Sequence, residues 1–168
     1  QSLGNWEAGE FVTKNGVSFR ALGAGQSPRG TRKDEVRPDT ILIDDFDTDE
    51  ECRNPTIVKD KMKWLEEALY GTRSISNPLL WIACGNIIAK YCCITEMAKV
   101  ADIHEIINIR DKNGKSTWPQ KNTEALIDRS LSKQSWSAQQ KEYFNNPISE
   151  GDTFKKLYWD KCPPLSSC

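Results

Sequence analysis

Near the start of the chain, apolar and polar residues alternate on both sides of a single turn signal. Glu10-Phe-Val-Thr13 and Val17-Ser-Phe-Arg20 flank Lys14-Asn15-Gly16. Asn-Gly supplies the positive φ angles of a tight turn, so this pattern predicts a β-hairpin. Residues 23–30 are dense in turn-forming types and read as a loop. Thr40-Ile-Leu-Ile43 is a short continuous apolar run, the pattern of a strand buried on both faces of a parallel sheet. It runs straight into Asp44-Asp45-Phe46-Asp47.

Over residues 56–70 the apolar positions Ile57, Met62, Leu65 and Leu69 fall near helical spacing, with lysines and glutamates between them. Asn54-Pro55 suits the start of that helix and Gly71 its C-cap. Residues 79–84 predict a second buried strand that ends at Gly85-Asn86, followed by a helix over 89–99. The isoleucine-rich stretch 104–109 reads as a third strand, and Asp111-Lys-Asn-Gly114 as a turn. Two polar helices follow at 123–130 and 135–144, the first capped by Asn122 or Thr123. Strands that alternate with helices imply an α/β fold, a mainly parallel sheet with flanking helices. Chemistry in such sheets collects at the carboxyl ends of the strands. Two of the three core strands end in polar residues there, at Asp44-Asp45 and Gly85-Asn86.

Composition changes this picture little. With 38% hydrophobic and 28% charged residues the chain is a folded globular sequence rather than a disordered one. A net charge of −1 gives no global attraction to nucleic acid, so any DNA contact has to be a local patch. The lysines at 59, 61 and 63 and the pair Lys155-Lys156 read as solvated faces, and Trp64, Trp118 and Trp136 as core or interface anchors. The longest apolar stretch, 78–89, is broken by Gly85-Asn86 and is too short to cross a bilayer. None of the six cysteines forms a Cys-x-x-Cys pair, and the single histidine, His104, lacks a nearby ligand set. Cys84, inside an apolar run, is expected to be a small buried hydrophobe.

A carboxylate directly after an apolar strand is the Walker B arrangement. The first acid holds magnesium and a neighbouring acid orients or deprotonates the attacking water. Asp44 then serves the metal and Asp45 the water; the competing reading is a solvated acidic turn. Asp47, Asp49, Glu50 and Glu51 read as a solvated loop before a helix. Arg29 and Arg32, in the loop before the strand, either anchor that loop or reach a neighbouring subunit's phosphoryl group as an arginine finger. Gly85-Asn86 is a simple turn, or a sensor whose amide points into the nucleotide crevice.

Gly25-Gln-Ser-Pro-Arg29-Gly30-Thr-Arg32, followed by Arg37-Pro38-Asp39-Thr-Ile-Leu-Ile-Asp44-Asp45, resembles the segment leading into Walker B in the large terminase subunits of tailed bacteriophages. Leu79-Leu-Trp-Ile-Ala-Cys-Gly85-Asn86-Ile-Ile-Ala-Lys90 is similar to the following strand and its coupling motif. Ser116-Thr-Trp118-Pro119-Gln120 and Glu142-Tyr143-Phe144-Asn145-Asn146-Pro147, with Gly151 and Phe154 after them, are similar to later stretches of the same domain.

The resemblance implies part of an ASCE-type (RecA-like) P-loop ATPase core over residues 1–150, with 151–168 leading toward a nuclease domain. On that reading Asp44 is the magnesium acid, Asp45 stands where relatives carry a catalytic glutamate, Gly85-Asn86 is the coupling motif, and Arg29 or Arg32 is the finger. It implies ATP and magnesium as cofactors. The implied partners are double-stranded DNA, the portal protein, a small terminase subunit and neighbouring large subunits in a ring. It also implies no membrane association and a place in the host bacterial cytoplasm.

No Gly-x-x-x-x-Gly-Lys-Ser/Thr occurs in the sequence, and residues 23–30 cannot replace it because no Lys-Ser/Thr follows. The chain opens without an initiator methionine and closes on Pro-Pro-Leu-Ser-Ser-Cys. Both ends read as cuts through a longer polypeptide, and the fragment alone is expected to be inactive. Asp45 is one methylene shorter than glutamate, which leaves Asp47 as the alternative acid. The competing functional classes are a non-enzymatic DNA- or portal-interaction module on a decayed ATPase scaffold, and a helicase-like ATPase.

Overall fold

A computed structural model of the chain describes residues 6–7, 9–28 and 37–148. Arg29, Arg32, the expected linker 151–168 with Gly151, Phe154 and Lys155-Lys156, and the cysteines Cys162 and Cys168 lie outside the described residues.

The hairpin forms. Strands β2 (Glu10–Val12) and β3 (Ser18–Arg20) pair antiparallel, and a short strand β1 (Trp6–Glu7) adds to the free side of β2. The Phe11 and Phe19 rings face each other across the ladder and stack with centroids 4.7 Å apart. Cross-strand aromatic pairs of this kind stabilise two-stranded ribbons.

The turn differs from the expected Asn-Gly geometry. Gly16 takes the positive angle, at φ 84°, whereas Asn15 does not. Thr13 closes the loop by donating its N–H to Val17 O at 2.8 Å and accepting from Gly16 N–H at 3.0 Å. This is the three-residue solution, in which only the last loop residue is left-handed. Gly16→Ala is therefore expected to cost the hairpin about 1–2 kcal/mol, read as faster amide exchange along the Phe11–Phe19 ladder. Gly71→Ala is the contrast: Gly71 has no positive φ and open space where a Cβ would stand, so exchange there should not accelerate.

Strands β4 (Thr40–Asp44) and β5 (Leu80–Cys84) form a parallel pair, from Thr40 opposite Leu80 to Asp44 opposite Cys84. The parallel arrangement is the one expected, but the burial is not. Ile41 and Ile43 are 8% and 6% exposed, whereas Leu42 between them is 65% exposed. Leu80, Ile82 and Cys84 are exposed as well. Alternation along a strand sends successive side chains to opposite faces, and among the described residues helices pack on only one face. The expectation of burial on both faces, and of Cys84 as a core residue, is therefore corrected.

Helix α1 (Asp49–Cys52) occupies the acidic stretch that the sequence presents as a loop. Thr48 caps it, its hydroxyl accepting the Glu51 N–H at 3.3 Å. Helix α2 (Pro55–Trp64) starts as expected: Asn54 Oδ1 accepts from Thr56 N–H at 3.0 Å and Pro55 opens the first turn. Its end differs. The chain widens into a π-helical turn (Leu65–Leu69) and tightens into a 3₁₀ turn (Tyr70–Thr72), with Gly71 inside that turn rather than as a left-handed cap.

Helix α3 (Cys93–Ala98) begins four residues later than expected, after an irregular connection. Its Cys93 and Met97 join Ile41, Ile43, Val58 and Leu65 in one apolar core, with Phe46, Trp64 and Trp81 packed at its margin. Residues 104–109 form no strand. Ile103, Ile106 and Ile107 are exposed, and the nearest pairing is an isolated bridge between Arg110 and Ser116. Isoleucine content marks a strand only where a partner strand is available to pair with it.

Helices α4 (Glu124–Leu131) and α5 (Trp136–Phe144) start where the sequence places them, capped by Thr123 and Ser135. The whole is a mixed α/β arrangement of small sheets, one parallel pair and flanking helices. Among the described residues no helix is long and apolar enough to cross a membrane.

Candidate functional site

The parallel pairing of β4 and β5 brings their carboxyl ends side by side. Asp45 N–H donates to Cys84 O at 3.2 Å, carrying the ladder one residue past β4. There the chain turns sharply, with Asp45 in the left-handed region at φ 44°. Asp and Asn tolerate that region better than other non-glycine residues. Beyond the turn an open cleft of about 160 Å³ lies among Asp45, Asp47, Cys84, Gly85, Asn86 and Glu142, floored by Met97 and Ile94.

Asp45, Gly85 and Asn86 thus meet at one cleft, although they lie some forty residues apart in sequence. Asp44 does not border it. By strand alternation Asp44, the last residue of β4, shares the exposed face of Thr40 and Leu42.

Asp47 has a different task. Its Oδ1 accepts from Cys93 N–H and its Oδ2 from Ile94 N–H, both at 2.8 Å, and the Cys52 thiol lies 3.7 Å from Oδ1. The first N–H groups of a helix have no partner inside it, and a carboxylate from another segment satisfies two of them here. Both oxygens of the alternative acid are engaged in starting α3.

The lysines of α2 are not uniformly solvated. The Lys61 side chain is 11% exposed; its ammonium donates to Phe46 O and to Glu51 Oε2 at 2.8 Å, and sits 4.2 Å from the Phe46 ring centroid. It ties the turn after β4 to α1 and α2. The Lys61 hydrogen bond, aided by the Thr48 hydroxyl, holds the Glu51 carboxyl below its ordinary value against the opposing effect of desolvation. A depressed native value makes this tie stabilising above the unfolded carboxylate range, and the contribution is lost as pH falls through the lowered value.

Helix α5 reaches the cleft from the other side. Asn86 Nδ2 donates to Glu142 O at 3.4 Å, and Ile87 N–H donates to Asn145 Oδ1 at 3.0 Å. Sequence reading missed Asn145, Glu142 and Lys61 as parts of this region. The local signal for Asn145 was a polar residue directly after a helical pattern, which marks a cap but does not reveal what the cap touches.

Desolvation pushes the Cys52 thiol up to about 12 and the Cys93 thiol higher still, in both cases with Asp47 nearby adding to the effect. Thiolates, not thiols, are the reactive species. Of the four described cysteines, exposed Cys84 is therefore expected to react first with a thiol reagent in the native chain. Peptide mapping that found Cys93 labelled as fast as Cys84 would contradict this packing.

Asp44, Asp45 and Asn86 put side-chain oxygen atoms at the strand ends. Mg²⁺ takes oxygen ligands and is commonly held by one or two carboxylates together with substrate phosphates. Among the described residues no group of three or more His, Cys, Asp or Glu side chains could hold a metal by itself. The cleft is also smaller than the roughly 300–1,000 Å³ of a typical small-molecule pocket. No family model, curated protein or solved structure matches the chain.

Proposed function

We propose that the chain carries the Walker B half of an ATP-hydrolysing site in a P-loop ATPase core, of the type used by the DNA-packaging motors of tailed phages. The observation that carries the reading is the parallel pairing of β4 and β5, which sets an acidic strand end beside a Gly-Asn strand end. Ligand chemistry in parallel sheets gathers at this edge.

In this reading Asp44, at the end of β4, takes the cation that accompanies ATP. Asp45, in the cleft, orients the attacking water and accepts its proton at a carboxylate oxygen. The Asn86 amide lines the same cleft and senses the phosphate end of the nucleotide. The phosphate-cradling lysine comes from a P-loop segment that this sequence does not contain. Double-stranded DNA, the portal, a small terminase subunit and neighbouring copies in a ring are the partners such a motor engages.

Phosphate release from ATP, measured with a P-loop-bearing half supplied, tests the reading. Turnover should depend on magnesium and should disappear in Asp44→Ala. Turnover that survives that substitution would overturn it.

A further inference from the structure

Among the described residues two non-glycine residues adopt positive φ angles, Asp45 at 44° and Asn145 at 49°. Both belong to the same region of the molecule. Asp45 borders the cleft, and Asn145 ends α5 with its side chain against the turn at 85–87. Asparagine is a common left-handed residue at helix ends, so what distinguishes Asn145 is the set of groups its side chain joins.

Asn145 Oδ1 accepts the Ile87 N–H at 3.0 Å, while its Nδ2 donates to Ile107 O at 3.3 Å and to Asn108 Oδ1 at 3.2 Å. One side-chain amide thus joins three segments: the chain after β5, the irregular stretch before Arg110, and the end of α5. The last carbonyls of a helix also need outside partners. At α5 these come from the same two segments, with Asn86 donating to Glu142 O and Ile109 N–H to Tyr143 O at 2.9 Å. The Asn86 side chain is therefore fixed against a helix end that Asn145 itself terminates, with Asn146 N–H returning to Gln140 O at 2.9 Å.

We propose that Asn145 is a positioning residue for the strand-end cleft: its amide fixes the turn at 85–87, and with it Asn86, in place beside Asp45. The role rests on the ATPase reading above. A geometric slip of the order of an ångström at a reacting centre can lower turnover about 10²-fold, which sets the scale of the effect.

Asn145→Gly is the informative variant. Glycine accepts the left-handed angle freely and is the commonest helix-terminating residue, so the backbone survives while all three side-chain bonds are lost. In the 168-residue chain, amide exchange at Ile87 should accelerate at least about tenfold, while exchange at core residues Val58 and Leu65 stays unchanged. In the ATPase assay with the P-loop half supplied, kcat should fall about 10- to 100-fold, with KM for ATP within about twofold of the parent. Asn145→Asp tolerates the same angle and keeps the acceptor for Ile87 N–H but loses both donor bonds, to Ile107 O and Asn108 Oδ1, so its exchange at Ile87 and its turnover should lie between those of the parent and of Asn145→Gly.

Unchanged exchange at Ile87, or faster exchange with kcat intact, overturns the role even if Asp44→Ala abolishes turnover. Turnover that is absent, or indifferent to Asp44→Ala, overturns the ATPase reading and this role with it. The exchange result then still reports whether Asn145 holds the turn.

Discussion

Asp45→Asn is expected to lower ATP turnover by about 10²- to 10⁴-fold, the range that a positioned general base contributes. Nucleotide affinity should change little. The substitution suits the site for a structural reason. Asparagine occupies the left-handed region as readily as aspartate, so the turn at φ 44° and the N–H bond to Cys84 O both persist. What disappears is the ability to accept a proton from water. A loss in kcat without a rise in KM marks an interaction made in the transition state. If the variant kept turnover within about threefold of the parent, Asp45 would be a turn residue and nothing more.

The second large effect belongs to Asp47 and falls on stability. Asp47→Ala removes two charge-assisted bonds to the start of α3, at Cys93 and Ile94, and leaves both N–H groups without their partners. Capping residues contribute about 0.5–2 kcal/mol and hydrogen bonds to charged groups about 1.5–3 kcal/mol. A loss of roughly 2–3 kcal/mol in a urea titration follows from those ranges. Because α3 contributes Cys93 and Met97 to the core, the loss should be global rather than confined to one helix. Asp47→Asn keeps an acceptor and should lie between the two. The opposite pattern, unaltered stability with abolished turnover, would make Asp47 the hydrolytic acid and return Asp45 to the turn.

The elements legible in the sequence are those whose causes are local. The hairpin at Asn15-Gly16, the starts of α2, α4 and α5, and the two core strands each carry their signal within a few residues. Even there the detail depended on pairing: the loop closed by the three-residue route, so Asn15 needed no positive φ.

Features whose cause is distant in sequence are not legible in it. The start of α3 is set by Asp47, forty-six residues before Cys93. Residues 104–109 are rich in isoleucine, yet among the described residues no strand pairs with them, and they are held instead by the end of α5, through Ile109 N–H and Asn145. Leu42 sits in an apolar run, but burial depends on what covers the face to which it points.

The candidate site divides in the same way. Acidic and Gly-Asn strand ends are visible as short motifs, and their meeting follows once β4 and β5 are taken as neighbours. That Asp45 and not Asp44 lines the cleft, and that Asn86 is attached to α5, required the fold.

The most direct measurement locates the metal. With the P-loop half supplied and Mn²⁺·ADP bound in place of the magnesium complex, paramagnetic broadening of amide resonances should centre on Asp44, Asp45, Gly85 and Asn86 and vanish in Asp44→Ala. Broadening centred instead on the acidic helix at Asp49, Glu50 and Glu51, and unaffected by that substitution, would contradict the assignment of the two strand ends to a nucleotide site.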